Sequence, residues 1–187
     1  MDWMGFKIYA APTVEPVTLP EMRTYVGLGQ DETGNDLQLS AAISAARIHL
    51  EKVTGRIFCT STYDVQFKSF ADFALKLPVT PVQSVTSVVY KSSNVPATLA
   101  INLYELSDYG VFPVVKQPWN VTWPDADEAS VIVRIIAGLA SGPYDKLGVA
   151  IVKAIAADLF LHSESQSEIN LTLNECIERM INSYGTR

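Results

Sequence analysis

The chain has 187 residues, 48% of them apolar, and its 14 Lys and Arg against 20 Asp and Glu leave a net charge of −6. Nearly half apolar, it is not a disordered chain, and at this length it buries roughly 70% of its unfolded surface without needing disulfides or a metal. Its basic residues are scattered singly, which excludes a surface that grips phosphates, and the length fits one domain or one domain with a large insertion.

Residues 1–17 read as an extended arm with prolines at 12 and 16. No secretory leader is expected there, because Asp2 and Lys7 interrupt the apolar residues and no basic start or small-residue cleavage site is present. The sequons at Asn120 and Asn170 are therefore read as chance. Thr18-Leu19-Pro20-Glu21 is a capping box: the Thr18 hydroxyl accepts an early helix N–H, and Glu21 reaches back to the Thr18 amide. A helix is expected near 18–27, ended by Gly27 and Gly29. A second is expected near 36–54, where Leu39, Ile43, Ala46, Leu50 and Val53 form one apolar stripe. Ala41, Ala42, Ala45 and Ala46 permit close helix approach, and Gly55 is suited to the left-handed residue that closes the helix.

From Ile57 the period becomes two. Tyr63, Val65 and Phe67 face one way, and Thr62, Asp64, Gln66 and Lys68 the other. Pro78 and Pro81 punctuate a loop before a strand at Val85–Tyr90. Further strands are expected around Thr98–Ile101, Tyr104–Leu106, Val111–Val115 and Ser130–Ile136. Arg134, inside the last, is expected to pair with a carboxylate or point outward. Gly142-Pro143 opens a third helix, near 143–162, in which twelve of the fifteen residues from Leu147 to Leu161 are apolar. Such a helix is buried on most faces, as the central helix of the fold or against a neighbouring subunit, and is too short and interrupted to span a bilayer. The Ser-rich stretch 163–171 reads as a linker, and Thr172-Leu173-Asn174-Glu175 as a second capping box opening a helix near 173–183. A helix this short docks on its own domain or on a partner.

Chemistry is not legible in the sequence. There is no nucleophile elbow, no glycine-rich phosphate loop and no HExxH, and His49 and His162 each stand alone on an expected helix. Cys59 and Cys176 are read as reduced packing residues. Asp125, Asp127 and Glu128 sit in a turn, where they read as solvation rather than as a calcium loop. No catalytic residue, cofactor site or metal site is expected, and the chain is read as a non-enzyme. Trp119 and Trp123 flank a loop, and are expected to cover a sheet edge or to bind a sugar or a partner protein.

Two phrases, Glu15-Pro16-Val17-Thr18-Leu19 and Leu77-Pro78-Val79-Thr80-Pro81-Val82-Gln83-Ser84-Val85 running on to Tyr90, resemble the head-to-tail connector (adaptor) proteins of tailed bacteriophages. The resemblance continues through the Ala-rich helix to Thr54-Gly55-Arg56, and includes Trp123-Pro124, Val133-Arg134 with Ala137-Gly138, and the apolar third helix. It covers about 15–162; after His162 no pattern of the family is found.

The resemblance implies an α+β fold, a small helical bundle with a β-rich insertion at about 57–137, so that 18–162 forms the connector domain after the 1–17 arm. It implies a ring, commonly of twelve copies, beneath the portal of a capsid assembled in the bacterial host cytoplasm. The ring lengthens the DNA channel, passes genomic DNA without sequence-specific binding, and offers a platform to the next neck (stopper) or tail protein. Leu39, Ile43, Leu50, Ile151, Ile155 and Leu159 are the expected core or subunit interface. Residues 163–187 are the expected portal-docking segment, with Ile177, Met180, Ile181, Tyr184 and Arg187 as contacts, and truncation after His162 is expected to leave a folded chain. The alternatives are another neck or tail component such as a stopper, or a carbohydrate- or host-binding β module resting on the two tryptophans.

Overall fold

The computed structural model describes residues 3–70, 74–110, 112–139, 145–162 and 175–185. The fold is α+β, with four α-helices and two antiparallel sheets among the described residues. The chain forms two compact units, Met1–Thr13 with Gly55–Ala140, and Val14–Thr54 with Ser141–Arg187.

The first unit is built on a five-stranded sheet. Its strands are β1 (Trp3–Ala10), β2 (Ser61–Phe67), β4 (Val82–Ser92), β5 (Val95–Thr98) and β8 (Val131–Ala137), in the order β1-β2-β8-β4-β5. A three-stranded sheet of β3 (Ala74–Lys76), β6 (Glu105–Ser107) and β7 (Val114–Lys116) runs in the order β3-β7-β6. The period-two alternation has its expected physical result: Tyr63, Val65 and Phe67 of β2 and Val131, Val133 and Ile135 of β8 are buried. They share one apolar core with Leu75 and Val115 of the smaller sheet. Burying one such side chain contributes about 1.5–3 kcal/mol.

Two expectations are corrected here. The first part of the 1–17 segment is extended, but it is an edge strand paired with β2 rather than a separate arm. The strand expected at Thr98–Ile101 ends at Thr98 and gives way to a 3-10 turn at Ile101–Leu103. That strand starts early because Ser93 and Asn94 both adopt positive φ, 51° and 62°, and so join β4 and β5 by the two-residue turn that suits a hairpin's twist. Strand β3 carried too few residues to show a period.

The second unit holds α1 (Leu19–Val26), α2 (Asp36–Thr54), α3 (Lys146–His162) and α4 (Glu175–Gly185). Helix α2 packs on α3, and α1 and α4 each contact both. The Thr18 capping box is present, with Glu21 N–H donating to the Thr18 hydroxyl at 3.4 Å and Thr18 N–H donating to the Glu21 carboxylate at 3.1 Å. Gly27 closes α1 in the left-handed conformation at φ 81°. Helix α3 begins at Lys146, later than expected, because the Asp145 carboxylate accepts the Leu147 N–H at 3.1 Å and so caps it. The expected linker and the second capping box (up to Asn174) lie outside the described residues.

Candidate functional site

The phrases that carry the resemblance have structural work in this fold. In Glu15-Pro16-Val17-Thr18-Leu19, the Glu15 carboxylate accepts from Arg47 Nε at 2.7 Å and from the Ser44 hydroxyl at 2.8 Å, tying the chain to the side of α2. Arg47 is buried and also meets Glu51, one turn on, at 2.7 Å. Val17 and Met22, both buried, occupy the two positions of a hydrophobic staple around the Thr18 cap. Arg23, in the same helix, donates from Nε to Asp36 at 2.9 Å and from Nη1 to the Gln30 carbonyl at 3.1 Å, closing the loop between α1 and α2. The hydrogen bond to Asp36 holds the Arg23 guanidinium above its ordinary pKa.

The segments around Gly55, Leu77–Pro81 and Gly138 are far apart in sequence but meet in one backbone knot. Thr80 N–H donates to the Gly55 carbonyl at 3.0 Å, and Ile57 N–H donates to the Thr80 carbonyl at 2.9 Å. Gly138 N–H donates to the Pro81 carbonyl at 2.9 Å, and Gln83 Nε2 donates to the Gly138 carbonyl at 2.8 Å. Leu77 and Val79 are buried beside it. These motifs mark a corner of the first unit.

Arg134 pairs with a carboxylate. It lies opposite Asp64 across β2 and β8, and its Nε and Nη2 donate to the two Asp64 oxygens at 2.7 and 3.0 Å. Its guanidinium carbon also sits 3.4 Å from the centroid of the Tyr9 ring. The hydrogen bonds to Asp64 push its pKa above the ordinary arginine value. Asp64, on the face of β2 opposite Tyr63, Val65 and Phe67, is buried, and its bidentate pairing with Arg134 offsets the cost of that burial.

Asp127 does more than solvate a turn. Its two carboxylate oxygens accept the N–H groups of Ser93 and Asn94 at 3.0 and 2.7 Å, capping the hairpin between β4 and β5. No sequence spacing signalled this contact across more than thirty residues. The tryptophans divide. Trp119 is 91% exposed. Trp123 stacks on Phe70 with centroids 4.9 Å apart and belongs to the edge of the core, so the pair does not form one aromatic platform. Cys59 is buried, but Cys176 is exposed on α4 and is not a packing residue. His49 and His162 are exposed.

The expected core residues Leu39, Ile43, Leu50, Ile151 and Ile155 are buried within the helical unit, and Leu159 is half-buried. The expected portal contacts separate. Ile177, Ile181 and Tyr184 are buried at 7%, 5% and 5% exposure, Met180 is half-buried, and Arg187 lies outside the described residues. Helix α4 contacts α2 and α3, so its apolar side is already occupied by its own unit. Its outward side carries Glu175, Glu178, Arg179, Asn182 and Ser183. Among the described residues no group of three His, Cys, Asp or Glu side chains is placed to hold a metal ion. No described helix is long and apolar enough to cross a membrane.

No family model and no curated protein matches the chain. Solved structures do. The chain is similar to one from the neck of an empty gene transfer agent (GTA) particle computed with C6 symmetry, at TM-score 0.80 and 18% identity, over 98% of this chain and 96% of the other. It is also similar to a chain from the virion of a native GTA particle, at TM-score 0.77 and 18% identity, with the same coverage of 98% and 96%. A chain from the neck of a native GTA particle computed with C12 symmetry matches at TM-score 0.72 and 15% identity, again over 98% and 96%. At these identities the fold is what is shared.

Proposed function

We propose that this chain is a structural component of the neck of a phage-like particle and, within it, the head-to-tail adaptor. In this reading twelve copies form a ring under the portal, lengthen the DNA channel and give the next neck or tail protein its platform. The helical unit is the connector bundle, and the β-rich unit is the insertion it carries. The chain assembles in the bacterial host cytoplasm and catalyses no reaction. The observation that carries the reading is the likeness along 98% of the chain to chains from necks computed with C6 and C12 symmetry. The phrases from Glu15 to Leu19 and from Leu77 to Tyr90 support it independently.

The physical task is to hold a ring on a ring through many modest contacts, and assembled copies acting together make weak single contacts sufficient. The net charge of −6 suits a surface that DNA passes without adhering. Because Ile177, Ile181 and Tyr184 hold α4 on its own unit, the portal contact is assigned to the outward side of α4 and to the residues beyond it.

The test is the native mass of the protein alone and after mixing with portal rings. Binding of about a dozen copies per portal ring is expected. A stopper would join only after an adaptor ring is present, so direct binding to bare portal separates the two. A chain that stays solitary beside portal rings, and is missing from imaged necks, refutes the proposal.

A further inference from the structure

We infer that neighbouring copies meet helix to helix, the outward face of α2 in one copy packing on the outward face of α3 in the next. This rests on the ring reading above and names the surfaces that would close the ring.

Helix α2 buries one face, through Leu39, Ile43, Ala46 and Leu50. Its opposite face is also apolar. Leu37 is 88% exposed and Ile48 52% exposed, with Ala41 and Ala45 exposed on the line between them. Helix α3 repeats the arrangement. It buries Ile151, Val152, Ile155 and Ala156, and presents Leu147 at 44% and Leu161 at 61% exposure at the two ends of its other face. Ala150, exposed, and Ala154 and Ala157, half-buried, lie between them. The steps from Leu147 to Leu161 are three, four, three and four residues, the spacing of a helix–helix seam.

A helix on the surface of a solitary domain turns a polar face outward. Helix α4 does so, with Glu175, Glu178, Arg179 and Asn182. Helices α2 and α3 instead carry an apolar line on the outward side, and the exposed polar residues of α2, Gln38, Ser40 and His49, lie beside that line rather than on it. The two helices pack on each other, so their outward faces are turned away from one another, and the two faces are different. A ring requires two different patches, each complementary to the other and set apart on the subunit. Large side chains at the ends of each face and alanines in the middle let two helices approach to roughly 8 Å between axes.

Electrostatics permits a second copy as the occupant. Copies of a chain with net charge −6 repel, and they meet at least cost where carboxylates are absent. The line Leu37, Ala41, Ala45, Ile48 ends in Lys52, and the line Leu147, Ala150, Ala154, Ala157, Leu161 carries no acidic residue. Asp158 flanks the second line and is engaged with His162 of its own helix at 3.3 Å. The neck symmetries C6 and C12 of the similar structures supply the repeated copies such faces would serve.

Ala45 and Ala154 are the midpoints of the two faces and come opposite each other whether the helices run parallel or antiparallel. The test is a chain carrying Ala45→Cys and Ala154→Cys with Cys176→Ser, treated with a short bismaleimide under the conditions that give rings. A covalent ladder extending beyond the dimer is expected, and neither single-cysteine chain should give one. Ala45→Glu should weaken ring formation at least tenfold while leaving the subunit's Tm unchanged. Rings that form normally, give no ladder and tolerate Ala45→Glu overturn this interface and leave the adaptor reading standing. A wild-type chain that forms no ring even with portal rings overturns both.

Discussion

Gly138 lies against the backbone of Cys59 so closely that a Cβ on it would come 2.6 Å from both the carbonyl carbon and the oxygen of Cys59. Its φ of 118° is also one that L side chains rarely adopt. Both obstacles are backbone, so neither relaxes by a rotamer change. Gly138→Ala is expected to cost roughly 2–5 kcal/mol, from strain and overpacking together. A shift in the urea midpoint measures it, and a variant with the wild-type midpoint would show that the corner yields.

The Asp64–Arg134 pair gives a second expectation. The Asp64 side chain is 7% exposed and that of Arg134 30%, so the pair is partly shielded from water. Arg134→Met strands a buried carboxylate and is expected to cost about 2–4 kcal/mol, near the lower end for a buried pair because one side is open. Asp64→Asn with Arg134→Met should cost clearly less than the sum of the two single changes. Additive single costs in a double-mutant cycle would contradict the coupling.

Helix α2, the Thr18 cap and the alternation of β2 were legible in the sequence because each is a local pattern: a 3.6 period, a four-residue box, a two-residue period. The expected core stripe of Leu39, Ile43 and Leu50 was legible for the same reason. What escaped was carried by contacts between distant residues. Asp127 reaches Asn94 and Asp64 reaches Arg134 across long separations, and a carboxylate whose burial a distant partner offsets reads, locally, as an exposed one. The apolar side of α4 was legible as a docking face, but the sequence held nothing to decide between its own unit and another protein. Packing on α2 and α3 decided it.

That packing changes what truncation should do. Removing residues after His162 uncovers the surface that Ile177, Ile181 and Tyr184 now cover, all at 7% exposure or less. At about 1.5–3 kcal/mol for each fully buried large side chain, the loss is several kcal/mol, a large share of a domain's stability. The truncated chain is expected to unfold at much lower urea than the full chain. Equal midpoints would mean that α4 rests on the unit without stabilising it.

Asp127→Ala leaves the Ser93 and Asn94 amides without their acceptor at the tip of the β4–β5 hairpin. The site is exposed and water replaces the carboxylate, so a loss of about 1 kcal/mol is expected rather than the full cost of a buried orphan. The loss should be local, seen as faster hydrogen exchange at Val95 and its neighbours with α2 unchanged. Exchange rising uniformly across both units would argue against a local cap.

Glu21 supplies the acid-side expectation. Its carboxylate accepts the Thr18 backbone N–H, and this bond, with lesser help from the charge of Lys153 and the Thr18 side chain, lowers its pKa from the ordinary 4.5. A carboxyl with a lower pKa folded than unfolded contributes stability that is fully present above the unfolded value and is lost as pH falls through the folded one. The capping box should therefore weaken below about pH 4.5 and not on the alkaline side. Glu21→Gln keeps a side-chain acceptor for Thr18 N–H but removes the charge. The variant should be slightly less stable than the wild type at pH 7, and the gap should close as the pH is lowered toward 2. A gap of constant size across that range would mean that ionisation of Glu21 contributes nothing to the cap.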